Sequence, residues 1–575
     1  MLKRFIPYTK RFRKEMITAT ITAILECFFE LSIPMLMASL VDIGIAGRDM
    51  NYILRMSVLM VVMSLLSLVM GAVFAKNMAI FGQGFGCELR QAEYEKVQQF
   101  SFSNLDKFSS SSLVTRLTSD VTIMQNALVN GYRQILRGPF NLIVSLSLAL
   151  AINMKLAVVF MVAIPVLAAG LLIIISKLRP MFGRMQKAVD MVNSVVQENL
   201  IAIRVVKAYV RGEYEAEKFD KVNSELRSTA EQAFGYAVMN APIFQAVMYA
   251  TIVCLLWFGN GMIQVGDMAV GELTGFLSYV MLILNSLMMI SGVFLLVSRS
   301  ITSGTRILEV MDEPVAITSE PGGDLTVTDG SVQFCDVSFK YYENAREYVL
   351  SHIDLSVESG QTIGIMGGTG SAKSSLVQLI PRLYDASSGS VFVSGHDVRK
   401  YPVSHLRDAV GVVLQSNTLF TGTVRENLLW GNPHATQEEL DWACRISAAD
   451  EVIEKLPQGY DSPLGQGGGN VSGGQKQRLC IARALLKRPK ILIFDDSTSA
   501  VDTATEARIR EGLASELSDT TKIIIAQRIT SVQNADKIVI LDQGKINAVG
   551  THEQLLSGNE IYREIYNAQQ KGAEI

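Results

Sequence analysis

Residues 363–375 read Ile-Gly-Ile-Met-Gly-Gly-Thr-Gly-Ser-Ala-Lys-Ser-Ser, an apolar strand-like run entering a glycine-rich loop ahead of a helical stretch. Backbone N–H groups of such a loop can wrap phosphate oxygens, and a helix N-terminus beyond it adds a favourable dipole. Gly367, Gly368, Thr369, Gly370, Ser371 and Ala372 would form this cradle, and Ser375 would sit at the start of the helix. Lys373 would reach the β- and γ-phosphates, and the Ser374 hydroxyl would ligate Mg²⁺. Ala372 stands where the pattern has its last glycine. If that position needs a positive φ, alanine costs about 1 kcal/mol, and its methyl group could crowd a phosphate.

Four further stretches carry complementary chemistry. Residues 491–502, Ile-Leu-Ile-Phe-Asp-Asp-Ser-Thr-Ser-Ala-Val-Asp, form an apolar strand that would deliver Asp495 to a metal ion, with Asp496 next to it. Gln415 follows the apolar run Val-Gly-Val-Val-Leu, where its amide could touch Mg²⁺ or an attacking water. Residues 523–527, Ile-Ile-Ile-Ala-Gln, make another apolar strand that ends at Gln527. Ser472, Gly473, Gly474 and Gln475 lead into a basic helix, and such a helix start can hold a γ-phosphate. Tyr341 lies 26 residues before Gly367 and could either stack on an adenine or fill the core.

Together these residues resemble the ABC (ATP-binding cassette) transporter family, and the resemblance covers essentially the whole chain. It implies ATP and Mg²⁺ as cofactors, and a head-to-tail dimer with two ATP molecules sandwiched between nucleotide domains. Each ATP would meet the glycine-rich loop of one chain and the Ser-Gly-Gly-Gln of the other. In that family a Glu follows the Mg²⁺-binding Asp and polarises the attacking water, and a His touches the γ-phosphate. Asp496 stands in place of the Glu, one methylene shorter, which draws its carboxylate back by roughly 1.5 Å. Misplacement on that scale costs about 10²-fold in rate. Gln527 stands in place of the His.

Two departures at one site resemble the degenerate subunit of a heterodimeric bacterial multidrug exporter. The chain would then bind ATP but hydrolyse it poorly at its own site. Its intact Ser472–Gln475 signature would complete the hydrolytic site of a second, non-identical half-transporter. Alternatives are a lipid or peptide exporter, or an ATP-gated channel or regulatory subunit.

The elements that must position this chemistry divide the 575 residues in two. Six apolar stretches can be placed near 16–42, 53–76, 133–153, 156–178, 243–264 and 272–297. The first, counted over residues 16–40, makes roughly 37 Å of helix, enough to span a bilayer. Long links rich in Lys and Arg follow the second and fourth spans, whereas the other links are short. The positive-inside rule then puts both termini in the cytoplasm of a multi-pass plasma-membrane protein. Residues 77–131 and 179–240 have helical spacing, so spans 2 to 5 should continue beyond the bilayer. Short helices near Ser111–Gln125 and Arg204–Tyr214 could lie across the nucleotide domain, or these stretches could be solvated loops.

The expected fold is an α-helical transmembrane domain (residues 1–305, exporter-like) followed by an α/β P-loop nucleotide-binding domain with a helical subdomain (residues 331–570). Pro314, Pro321, Gly322, Gly323 and Gly330 mark a linker over residues 306–330. Hydrophobic residues make up 49% of the chain and charged ones 19%, too apolar for a purely soluble enzyme and too charged for a pure membrane bundle. A net charge of −3 gives no reason to expect nucleic acid as a partner. Six scattered cysteines, none in a C-x-x-C pair, argue for reduced thiols.

Glu26 and Glu30 fall mid-way along the first span, four residues apart and on one helix face. Carboxylates inside a membrane are costly and mark function or a buried partner. They could bind cationic amphiphiles in an inward-open cavity, or bond to a neighbouring span. Pro34 could kink this span. Met56, Met60, Met63, Met281, Met288 and Met289 could line a deformable site or fill gaps between helices, and Asn285 could bond across spans or touch substrate.

Overall fold

The apolar first half folds into helices that run far past the width of a bilayer. A computed structural model describes residues 2–318, 324–496 and 501–573. Pro321, Gly322 and Gly323 of the expected linker, and residues 497–500 after Asp496, lie outside the described residues. Two units are present: Met1–Gln98 with Ser110–Asp312, and Gln99–Ser109 with Glu313–Ile575.

In chain order the helices of the first half are α1 (Arg13–Ser39), α2 (Met50–Gln98), α3 (Phe102–Lys107), α4 (Ser110–Thr115), α5 (Val121–Ile152), α6 (Met154–Ile201), α7 (Ile203–Ala208), α8 (Gly212–Val238), α9 (Asn240–Val265) and α10 (Val270–Asp312). Six helical stretches among the described residues are long and apolar enough to cross a membrane. With 49 residues, α2 is about 73 Å long, more than twice the thickness of a hydrocarbon core.

The short turns are set locally. Asn153 caps α6, its Oδ1 accepting from the N–H groups of Lys155 and Leu156 at 3.0 and 3.1 Å. Gly266 closes α9 in the left-handed region at φ 83°. The first helix is continuous through Pro34 and gives way to a π-helical turn over Leu40–Ile45.

Two expectations shift. Residues 111–125 are not a separate short helix: α4 passes through a π-helical turn, Arg116–Asp120, straight into α5. The separate helix is α3, because a capping box between Ser101 and Asn104 starts it there. The 306–330 boundary also begins later, since α10 runs on to Asp312 with Ile307 and Val310 fully buried. Over 204–214, α7 ends at Ala208 and the chain turns through Val210 at φ 54° before α8.

The second unit is α/β. Its strands are β1 (Val332–Phe339), β2 (Leu350–Val357), β3 (Thr362–Met366), β4 (Ser388–Val393), β5 (His396–Asp397), β6 (Val410–Val413), β7 (Gly422–Thr423), β8 (Pro463–Leu464), β9 (Ile491–Asp495), β10 (Thr521–Ile525), β11 (Lys537–Asp542) and β12 (Lys545–Gly550). One sheet has the order β12-β11-β3-β10-β9-β6, parallel from β11 to β6, with β12 antiparallel at the edge. Every residue of β9 is buried, as befits a strand covered on both faces. A second, antiparallel sheet, β2-β1-β4-β5, was not foreseen from the apolar runs.

Helices α11 (Lys373–Gln378) and α12 (Val403–Ala409) follow β3 and precede β6. A helical subdomain is inserted between β6 and β9, with α13 (Val424–Leu429), α14 (Gln437–Ile446), α15 (Asp450–Glu454) and α16 (Gly473–Leu485). Its core gathers Leu428, Leu440, Cys444, Ile481 and Leu485 against Leu492 and Phe494 of β9.

The segment Gln99–Ser109, which carries α3, packs within this second unit. Tyr384 Oη donates to Asp106 Oδ2 at 2.6 Å, and Asn104 Nδ2 donates to the Pro314 carbonyl at 2.9 Å. Phe102 meets the Tyr384 ring edge-on.

Candidate nucleotide site and a charged cluster between spans

Parallel strands β3, β9 and β10 end side by side, so their C-terminal loops converge on one cleft. Gly367 to Ser375, Gln415, Asp495, Asp496 and Gln527 line a cavity of about 510 Å³ there. Ligands of open α/β sheets bind at this edge because the loops leave it together.

Two glycines of the loop, and one alanine, sit where a side chain is disfavoured. Gly367 has φ +153°, and a Cβ there would lie 2.1 Å from the Leu541 carbonyl oxygen. Gly370 has φ +82°. Ala372 sits at φ 71°, ψ 24°, so the positive φ considered for this position is realised with a side chain that disfavours it.

Lys373 is folded onto its own loop. Its Nζ donates to the carbonyls of Gly367 and Gly368 at 2.9 and 2.8 Å and to Ser371 Oγ at 3.2 Å. Burial lowers its pKa, opposed by the nearby Asp496 and Asp495. A polyanion entering the cleft would offer the ammonium better acceptors than these carbonyls.

Ser374 Oγ donates to Asp495 Oδ1 at 2.7 Å. Asp495 is 4% exposed, and burial pushes its carboxyl above the ordinary carboxylate range, with the Ser374 bond opposing and Asp496 adding to the shift. A hydroxyl and a buried carboxylate side by side are hard oxygen donors of the kind Mg²⁺ takes, and a divalent charge would relieve the burial cost. Gln415 lines the same cavity from the loop after β6.

Asp496 adopts φ +49°, its N–H donating to the Ile525 carbonyl at 3.1 Å. Gln527 Nε2 donates to Asp496 Oδ2 at 2.6 Å. The two residues that depart from the expected pattern therefore contact each other.

Tyr341 does not line the cavity, although it lies beside it. Its hydroxyl is 2.8 Å from Ser375 Oγ, and its ring packs edge-on against Phe339 and Tyr384, leaving the residue 37% exposed. Ser472 caps α16 through a capping box with Gln475, the Ser472 N–H donating to Gln475 Oε1 at 2.8 Å. Ser472 and Gly473 are exposed and stand apart from the cavity of their own chain.

In the first unit, Glu26 and Glu30 are not free. Glu26 Oε1 accepts from Arg133 Nη2 at 3.1 Å and from Arg137 Nη1 at 3.0 Å, while Arg137 also pairs with Glu30. The acids thus lack the unopposed negative charge that a lone cation would seek. Arg133 and Arg137 are outside the sequence expectations; their own four-residue spacing at the head of the third apolar stretch is the available signal.

The chain matches the ABC transporter transmembrane region over residues 16–287 and the ABC transporter family over residues 350–499. It is 38% identical over 551 residues to the uncharacterized ABC transporter ATP-binding protein YfiB of Bacillus subtilis, covering 96% of each chain. It is 32% identical to the ATP-dependent lipid A-core flippase of Desulfotalea psychrophila, covering 85% of each. It is 29% identical to YgaD of Bacillus subtilis, provisionally named a multidrug export ATP-binding/permease protein, covering 99% of each. A solved bacterial Atm1-family ABC exporter with ATP bound shares the fold, with a TM-score of 0.80 at 24% identity over 97% of this chain and 98% of that one.

Proposed function

The chain belongs to the ABC transporter family, and from that premise we propose that it is the subunit with the impaired ATP site in an asymmetric pair of exporter half-transporters. It is an ATP-driven exporter by family, with six apolar helices joined to a nucleotide-binding domain. What carries the finer reading is the hydrogen bond between Gln527 and Asp496. A carboxylate set back by one methylene and engaged by an amide is poorly placed to orient water.

In this reading Gly367 to Ser375 bind the triphosphate, and Lys373 leaves its loop carbonyls for the β- and γ-phosphates. Ser374 and Asp495, with Gln415 nearby, hold Mg²⁺, which supplies charge neutralisation for the phosphates. Tyr341, beside the cavity, would turn its ring onto the base. Ser472, Gly473, Gly474 and Gln475 would meet the nucleotide held by the partner, a second and different half-transporter bearing the Glu and His. ATP stays bound at this chain's site while the partner's site turns over. ATP binding biases one of two membrane-domain packings, and hydrolysis at the partner resets it. Both termini lie in the cytoplasm, and the cargo is amphiphilic, of the multidrug type.

The test is ATP hydrolysis by purified protein. The chain alone should turn over at about 1% or less of the rate of the assembled pair, whereas brisk hydrolysis by a homodimer would overturn the asymmetric reading. A second reading, lipid export, draws support from the similarity to a lipid A-core flippase. Movement of labelled lipid between leaflets, with no uptake of soluble amphiphilic dyes, would favour it.

A further inference from the structure

Building on the exporter reading above, we propose that the membrane unit carries a headgroup site for zwitterionic amphiphiles, built from the alternating charge chain Arg133–Glu26–Arg137–Glu30. Helix α1 supplies both acids and α5 both bases, each pair four residues apart and so one helical turn apart. Arg133 bonds Glu26, Arg137 bonds Glu26, and Arg137 also bonds Glu30. The signs therefore run plus, minus, plus, minus, and the whole sums to zero.

Burial divides the chain into a closed centre and two open ends. Side-chain exposure is 9% for Glu26 and 11% for Arg137, against 44% for Arg133 and 37% for Glu30. The central pair neutralises itself. A ligand would meet an accessible guanidinium at one end and an accessible carboxylate at the other. Charges left open within a membrane-spanning region are expensive, so the two ends call for a polar counterpart. A phosphocholine- or phosphoethanolamine-type headgroup fits this polarity, its phosphate taken by the Arg133 fork and its ammonium by Glu30. A lone cation at Glu30 meets Arg137 as well, and a lone anion at Arg133 meets Glu26.

The site is built rather than incidental. The Arg133 guanidinium lies 5.4 Å from the centroid of the Phe74 ring, which orients it. Helix α2 closes on the centre at Gly71, where a Cβ would fall 3.0 Å from Glu26 Oε1. Hydrogen-bonding capacity is also left over: among the described residues, Glu26 Oε2 and, one turn along α5, Asn141 Oδ1 are buried without a protein partner. Glu26 and Asn141 are 7% and 5% exposed. Buried polar atoms without partners are costly, and a polar headgroup or the water it carries would satisfy them.

The test uses the full-length chain with its native partner in nanodiscs of phosphatidylglycerol, without nucleotide. Single-chain amphiphiles sharing one alkyl tail, and bearing phosphocholine, trimethylammonium, phosphate or maltoside, compete against a tail-labelled fluorescent phosphocholine amphiphile. The phosphocholine compound should bind about tenfold tighter than each of the others, the difference one charge-assisted contact makes. Arg133→Gln should reduce it to the level of the trimethylammonium compound, and Glu30→Gln to that of the phosphate compound. If the Gln variants do not assemble, Arg133→Lys keeps the charge and loses the two-pronged contact, and the preference should fall about threefold. Equal affinities for all four compounds, tightest binding of the trimethylammonium one, or a preference untouched by these substitutions would overturn the proposal. Because binding is read without ATP, failure of ATP-driven uptake would sink the exporter reading separately.

Discussion

The side-chain amide of Gln527 donates to the Asp496 carboxylate at 2.6 Å, joining the ends of two adjacent parallel strands, β10 and β9. A water and a γ-phosphate would have to compete with that bond for both groups.

Restoring hydrolysis should therefore need both positions at once. With Asp496→Glu alone, the longer carboxylate still faces an amide donor; with Gln527→His alone, an imidazole faces a carboxylate that stops short. Each single change should recover no more than about twofold, and the double change most of the about 10²-fold deficit. ATPase of the assembled pair, with the partner's own Glu changed to Gln, reads this site alone. Additive single effects would show the two residues to be independent.

Ala372 holds a positive φ of 71° at the entrance of α11, next to Lys373. Glycine there removes the left-handed penalty, so Ala372→Gly should stabilise the loop by about 1 kcal/mol and tighten ATP by about fivefold. Equilibrium binding of ATP with Mg²⁺ checks it. An unchanged affinity would mean that the triphosphate does not use this loop in its observed conformation.

How legible this was depended on whether chemistry and spacing were local. The loop 367–375, Asp495 and Gln527 all follow apolar strands, so their convergence at one sheet edge could be read from composition along the chain. The pairing of Asp496 with Gln527 could not, because it depends on β9 lying beside β10 in register, Ile525 opposite Asp495. The same limit hid Arg133 and Arg137, whose partners are more than 100 residues away on α1. The antiparallel sheet escaped notice because β1 pairs with β4 through irregular register and β5 is two residues long. Helix α3 is illegible for a different reason: its start is set by side-chain caps at Ser101 and Asn104, not by apolar periodicity.

Ser472 offers a test of the partner. Its side chain caps α16, so Ser472→Ala should cost about 1 kcal/mol of local stability. The greater effect should fall on the other chain's site, with ATPase of the pair reduced by about tenfold or more, while ATP bound at Gly367–Ser375 is retained. Loss of ATP from this chain's own loop, with the pair's turnover unaffected, would contradict the head-to-tail arrangement.

Asp495 links metal binding to stability. Burial raises its folded pKa above the unfolded carboxylate value, with Ser374 opposing that shift. For an acid shifted in this direction, the folded state holds the proton more tightly, so the penalty is absent below the unfolded pKa of about 3.9 and grows as pH rises through the folded value. Neutral pH lies above the unfolded value, so the metal-free protein carries this penalty there. Asp495→Asn keeps the shape, an amide oxygen still accepts from Ser374, and the buried charge is gone. The variant should melt at or above the wild-type temperature in chelator at pH 7, and below the wild type once ATP and Mg²⁺ are added. The wild type, in contrast, should gain more from ATP with Mg²⁺ than from ATP with chelator. Equal protection of both proteins by ATP with Mg²⁺ would remove Asp495 from the metal site.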